Sequence, residues 1–111
     1  MDPVNDDRAI IRNVLRPYAD IRYAYGDIRN EVVFDDENAR YLVVSQGRMG
    51  KKRVHGCLLH VEIIGGKIWI QRDGTEDGIA GELLEAGIPK DRIVLGFWDA
   101  EARKLGEFAV A

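Results

Sequence analysis

Residues 65–97 read GGKIWIQRDGTEDGIAGELLEAGIPKDRIVLGF, and this stretch decides the fold. Gly65-Gly66 lies between two apolar runs, a strong hairpin signal because primed turns need positive φ. Residues 67–71 alternate, with Ile68 and Ile70 on one side and Trp69 and Gln71 on the other. Residues 73–77, DGTED, lead into a helix. Asp73 with Glu76 fits a capping pattern, and Thr75 is a rival cap. Glu76 and Asp77 would then meet the positive end of the helix dipole. Ile79, Ala80, Leu83 and Leu84 make one stripe at helical spacing. Gly87 suits a left-handed cap, Ile88 folds back on the last turn, and Pro89 stops the helix. Residues 92–97, RIVLGF, read as a short buried strand.

The rest of the chain is built around this unit. With 111 residues, it is expected to form one domain with a core of its own. Its 46% apolar and 32% charged residues are those of an ordinary globular protein, which argues against disorder. The single cysteine, Cys57, excludes an intramolecular disulfide and fits a reducing compartment. The acidic start MDPVNDDR does not resemble a signal peptide, and no apolar run approaches the ~20 residues of a membrane span. A cytoplasmic location without membrane contact is therefore expected. The net charge of -3 argues against strong direct nucleic-acid binding and favours a protein partner.

Residues 5–21 carry Ile10, Ile11, Val14, Leu15, Tyr18 and Ile21 on one stripe, so they are expected to be helical. Asn5 or Asp6 can cap this helix, and Pro17 should kink or end it. Residues 23–28, YAYGDI, form a connector whose tyrosines cover a core edge. A recombinase nucleophile among them is excluded by the small size of the chain. Strands are expected over residues 31–34, 40–45 and 53–64, with a turn at 35–39 and a loop at 46–52. Residues 99–104 can make one helical turn, and Phe108 and Val110 in the apolar tail should dock.

Pairing about Gly65-Gly66 sets Ile63 against Ile68, Val61 against Ile70, Leu59 against Arg72, Glu62 against Trp69 and His60 against Gln71. A turn at Met49-Gly50 sets Val44 against His55 and Leu42 against Cys57. One face then carries Leu42, Val44, Cys57, Leu59, Val61, Ile63, Ile68 and Ile70, to be covered by two amphipathic helices. The other carries Tyr41, Val43, Leu58, His60, Glu62, Trp69 and Gln71, and no further layer is foreseen for it. Tyr41, His60, Glu62, Trp69 and Gln71 are accordingly the candidate partner interface. The expected fold is α+β in two layers: an N-terminal helix, a four-strand antiparallel meander, a second helix and a fifth strand.

Residues able to carry chemistry are few. His55 and His60, five apart on one strand, point to opposite faces and cannot share a metal. His55 and Cys57 share a face, but there a buried inert thiol is expected. Asp73, Glu76 and Asp77 are the tight carboxylate cluster, and a small metal-dependent enzyme using them is one reading. Capping by Asp73, Thr75 and Glu76 accounts for the same residues without a metal. No catalytic residue or cofactor is assigned.

Beyond these local readings, the chain resembles the XisI family, the fdxN element excision controlling factors of cyanobacteria. The resemblance rests on YAYGDI at 23–28, RVHGCLLHVEI at 53–63, residues 66–97 and EFAVA at 107–111. It implies a non-enzymatic accessory protein for programmed DNA excision by a site-specific recombinase during heterocyst differentiation. It also implies an XisH-like protein partner, alongside possible self-association. The chain departs from the family pattern at Pro17, at Arg48 and at Trp98-Asp99-Ala100. A third reading is the neutralising partner of a nuclease-like protein, as in a toxin–antitoxin pair.

Overall fold

The computed structural model describes residues 3–23 and 26–111. Helix α1 spans Pro3–Leu15 and runs into a 3₁₀ segment over Arg16–Asp20. Pro17 lacks an N–H and cannot continue the α-helical ladder, so the regular helix stops two residues before it. Helix α1 also begins before Asn5, whose side chain lies outside the described residues. Four antiparallel strands follow, β1 (Asp27–Asp35), β2 (Arg40–Met49), β3 (Lys52–Ile64) and β4 (Lys67–Asp73). Helix α2 (Ala80–Glu85) crosses to β5 (Ile93–Leu95), which lies parallel to β4. A final turn of helix, α3 (Ala100–Lys104), precedes the tail. The sheet order is β1-β2-β3-β4-β5, so the expected α+β architecture is observed and β5 gains its neighbour.

Local signals explain most of these boundaries. Gly65 and Gly66 both take positive φ, at 57° and 77°, and close the β3–β4 hairpin in the expected register. Helix α2 ends in a Schellman motif: Ile88 N donates to Leu83 O and Gly87 N to Leu84 O, with Gly87 at φ 109°. Asp99 caps α3 by accepting from Ala102 N at 2.8 Å. The tail docks through Ala109 N to Ile93 O at 2.9 Å, and Phe108 packs against the core. Val110 is engaged only through its carbonyl, which accepts from Arg103 Nε at 2.8 Å, and it stays 43% exposed.

Strands β1 and β2 are longer than expected. Residues 46–49 continue β2, and the turn falls at Gly50-Lys51, so Gln46 rather than Val44 faces His55. The larger correction is a bulge at Leu58. Val43 pairs with Leu59 and Val44 with Cys57, leaving Leu58 as the extra residue in β3. Moving the turn by one residue changes partners but not faces. The bulge changes faces, because side chains alternate with period two. Tyr41 and Val43 therefore enter the core with Leu59, Val61, Ile68 and Ile70, while Leu42, Val44 and Cys57 go to the opposite, outer face. A second irregularity leaves Gln71 unpaired in β4, so His60 faces Arg72 and Leu59 faces Asp73.

Ile11 and Leu15 from α1, with Ile79 and Leu83 around α2, cover the core face and are fully buried. Asn30 is buried on that face too. It donates to Tyr18 O at 2.9 Å and accepts from Ser45 Oγ at 2.6 Å, which offsets its desolvation. Arg92, just before β5, grips the carboxylate of buried Asp7 in α1 with two nitrogens and donates to Gly66 O in the β3–β4 turn. The Asp7 side chain is only 4% exposed, whereas that of Arg92 is 31% exposed. Removing each partner should therefore have unequal effects. Arg92→Ala leaves a buried carboxylate alone and should cost about 3 kcal/mol. Asp7→Asn leaves a partly solvated guanidinium still bonded to Gly66 and should cost about 1 kcal/mol. Urea denaturation of both variants checks this order; equal losses would refute it.

Candidate functional site

Two surfaces emerge from this arrangement: the outer face of the sheet, and a cleft beside the 73–79 loop. On the outer face Glu62 is central. Its carboxylate lies 2.9 Å from His60 Nε2 and 3.4 Å from Arg40 Nε, and its side chain is 12% exposed. Trp69 is its cross-strand neighbour on β4. Apolar side chains frame this polar group. Val33 and Ile64 are half exposed, and Leu42 and Val44 are partly exposed. No described helix lies over the β1–β3 part of this face.

The candidate interface residues do not all stay together. Tyr41 leaves the group: it is fully buried on the core face, and its hydroxyl donates to Asp36 Oδ1 at 2.8 Å. Trp69 and Gln71 are on the outer face but partly covered. The Arg103 guanidinium of α3 sits 5.4 Å from the Trp69 ring centre, held there by donating to Val110 O and Trp98 O. Gly96 lies so close to Gln71 and Trp69 that a Cβ there would collide with the Gln71 amide and crowd the Trp69 ring. The C-terminal segment thus supplies cover over β4 and β5, contrary to the expectation that none remained. Val94, fully buried between Trp69 and Ala109, shows the effect. Nothing local in the sequence links Arg103 to Trp69, 34 positions away; the apolar tail, expected to dock, was the only hint.

The capping reading is corrected in detail. Helix α2 starts at Ala80, too late for a D-x-x-E box over 73–76. Asp73 instead braces the loop: Oδ1 accepts from Thr75 N at 3.0 Å and from Thr75 Oγ1, and Oδ2 accepts from Ile79 N at 2.8 Å. Thr75 Oγ1 accepts from Gly78 N at 3.2 Å, and Gly78 takes φ 80°. Both carboxylate oxygens of Asp73 are therefore engaged with the loop. Among the described residues no group of three His, Cys, Asp or Glu is placed to hold a metal ion.

Glu76 and Asp77 line an open cleft of about 600 Å³ together with Tyr18, Tyr23, Leu58 and Glu82. The Tyr18 hydroxyl donates to Glu82 Oε2. Burial, then that bond and the surrounding carboxylates, hold the Tyr18 phenol far above its ordinary range. Tyr25 of the connector lies outside the described residues. On the outer face, Cys57 donates to Leu59 O, and burial pushes its thiol up, away from nucleophilic thiolate chemistry.

The fold and site thus define a helix-on-sheet α+β protein with a five-strand mixed sheet and no assigned catalytic centre. The family model described as XisI protein matches residues 1–110, and the chain belongs to the XisI family. The crystal structure of the fdxN element excision controlling factor XisI from Anabaena variabilis is similar to it with a TM-score of 0.85 and 36% identity, over 99% of this chain and 100% of that one. A crystal structure of a XisI-like protein from Anabaena variabilis matches with a TM-score of 0.88 and 29% identity, over 97% of this chain and 99% of that one. The family is named for a factor rather than an enzyme. No curated protein matches the chain.

Two measurements check the site geometry. Burial and the bond to Asp36 push the Tyr41 phenol up to about 12 from 10.0. Its contribution to stability is then complete below pH 10 and is lost as pH rises from 10 through 12, because the unfolded chain ionises first. The denaturation midpoint should fall more steeply over that interval in the parent than in Tyr41→Phe; parallel falls would refute this. Asp73→Ala removes the brace of the 73–79 loop and should cost about 1–2 kcal/mol in urea denaturation. An unchanged midpoint would show the loop to be held by other contacts.

Proposed function

We propose that this chain is a non-enzymatic controlling factor that acts by binding a protein partner of the XisH kind, and through it regulates a recombinase that excises a DNA element. One observation carries the reading. The outer face between β1 and β3 holds Val33 and Ile64 half exposed around the His60–Glu62–Arg40 group, with no described helix above it. An apolar rim around a few satisfied polar groups is the composition of a protein interface. A desolvated Glu62 already paired with His60 and Arg40 can enter such an interface without leaving a buried charge alone. The name of the similar Anabaena variabilis protein supports the excision role.

The fold of α1, α2 and the core does not need Val33, so this position separates binding from folding. Val33→Glu sets a charge on the rim, where a hot-spot loss of 2 kcal/mol or more corresponds to about 30-fold weaker binding. Pull-down and titration calorimetry with XisH from the same host should show that loss while circular dichroism matches the parent. Unchanged affinity in the folded variant would remove this face as the partner surface.

A further inference from the structure

The far end of the β2–β3 hairpin gathers cations that the fold does not use. Arg48 and Arg53 are direct cross-strand partners, with Lys51 in the adjoining turn and Lys52 at the start of β3. Arg29 on β1 shares their face through its partner Gln46, two positions from Arg48. Like charges placed directly opposite are destabilising. Among the described residues none of these five side chains forms an ion pair or a hydrogen bond. Elsewhere Arg12, Arg40, Lys90, Arg92 and Lys104 have carboxylate partners, and the remaining cations without one are scattered rather than gathered at one end. Here Asp27 and Glu31 are the nearby acids, and Glu31 accepts from Gln46. A chain of net charge -3 therefore concentrates five cations against two carboxylates at one end.

The end is built rather than loose. β4 last meets β3 at Leu59↔Asp73, so residues 52–58 of β3 run on without it. β1 flanks β2 as far as Asp27↔Arg48. Gly47, at φ 149°, lets the β1 backbone come so near that any side chain there would strike Asp27 O. This close approach sets Arg29 and Asp27 beside Arg48, around a cleft of about 240 Å³ lined by Asp27, Arg29, Gln46, Gly47, Arg48 and Arg53.

We propose that this hairpin end is a contact site for the phosphate backbone of duplex DNA. Arginines bind phosphate through planar, bidentate hydrogen bonds. Arg29, Arg48 and Arg53 share one face of this three-strand end, so they can meet neighbouring phosphates along one side of a duplex. A protein ligand fits less well, since the cleft lining contains no apolar or aromatic side chain to act as an anchor. The site lies apart from Val33, His60 and Glu62, and it contributes a sequence-independent, salt-sensitive grip.

The test is fluorescence anisotropy with a labelled 25-base-pair DNA duplex of arbitrary sequence, between 20 and 200 mM salt, using the full chain. Three or four phosphate contacts give a slope of about -3 in log K against log salt. Arg48→Glu with Arg53→Glu should weaken binding at 20 mM salt at least tenfold and flatten the slope by about 2. Circular dichroism and XisH binding should match the parent, and Val33→Glu should bind DNA as the parent does. Parental affinity in the double variant, or no binding by the parent at 20 mM salt, would overturn the proposal. Equal or tighter binding to polyglutamate would assign the site to an acidic protein instead. Should Arg48→Glu with Arg53→Glu unfold the chain, Arg48→Gln with Arg53→Gln replaces it, with the same loss expected.

Discussion

The single extra residue at Leu58 governs how this chain uses its sheet. Above it, β3 turns Leu59 and Val61 inward under the helices; below it, Arg53, His55 and Cys57 face out. The bulge also ends the partnership with β4. Leu58 O accepts from Gly74 N at 2.8 Å, so the chain leaves the sheet there and enters the 73–79 loop. Arg72 Nε donates to Cys57 O at 2.9 Å and fixes the same corner from the other side. One insertion thus decides which side chains enter the core, where the helix crossover begins and how far β3 runs on beyond β4.

The two layers are consequently unequal. Both helices are spent on the core face, and the C-terminal segment reaches only β4 and β5. It does so with modest means: a cation over Trp69, one backbone bond from Ala109 to Ile93, and Phe108 laid on the core edge. The β1–β3 part of the outer face keeps Val33, Leu42 and Val44 partly in water. The molecule is also somewhat extended. The radius of gyration is 14.7 Å, against about 13 Å expected for a compact chain of this length.

Much of this was legible in the sequence wherever one short window held the whole cause. Gly65-Gly66 sets its hairpin through φ, Gly87-Ile88-Pro89 closes α2 by a motif spanning six residues, and Pro17 ends a helix by lacking an N–H. The faces of β2 were not legible. Tyr41, Leu42, Val43 and Val44 are all acceptable in a core, so alternation could not choose between the two phases, and a bulge leaves no composition signal. Tyr41 looked like an interface aromatic because its partner, Asp36, lies in a turn that seemed merely solvated. The 46–52 stretch looked like a loop because glycines and cations there hide a strand continuing to Met49. Asp73 was read as a cap of α2, but its reach to Ile79 depends on a loop path that only the folded chain defines.

The position of the arginine end relative to the proposed partner surface follows from strand geometry alone. Glu62 and Arg53 lie on the same outer face of β3, nine positions apart, which is about 30 Å at the usual rise. A protein seated over His60 and Glu62 would leave Arg48 and Arg53 beyond its footprint, since a standard interface spans about 800 Å² per partner. The acidic residues of the cleft, Glu76, Asp77 and Glu82, gather beside the loop and α2 rather than on the hairpin end. That separation matters for a chain of negative net charge. Water and salt screen charges more than about 10 Å apart, so the hairpin end can present a locally positive field despite the acidic remainder. On this reading, the long β2–β3 hairpin acts as a spacer, holding a phosphate contact at a fixed distance from a protein contact on one rigid sheet.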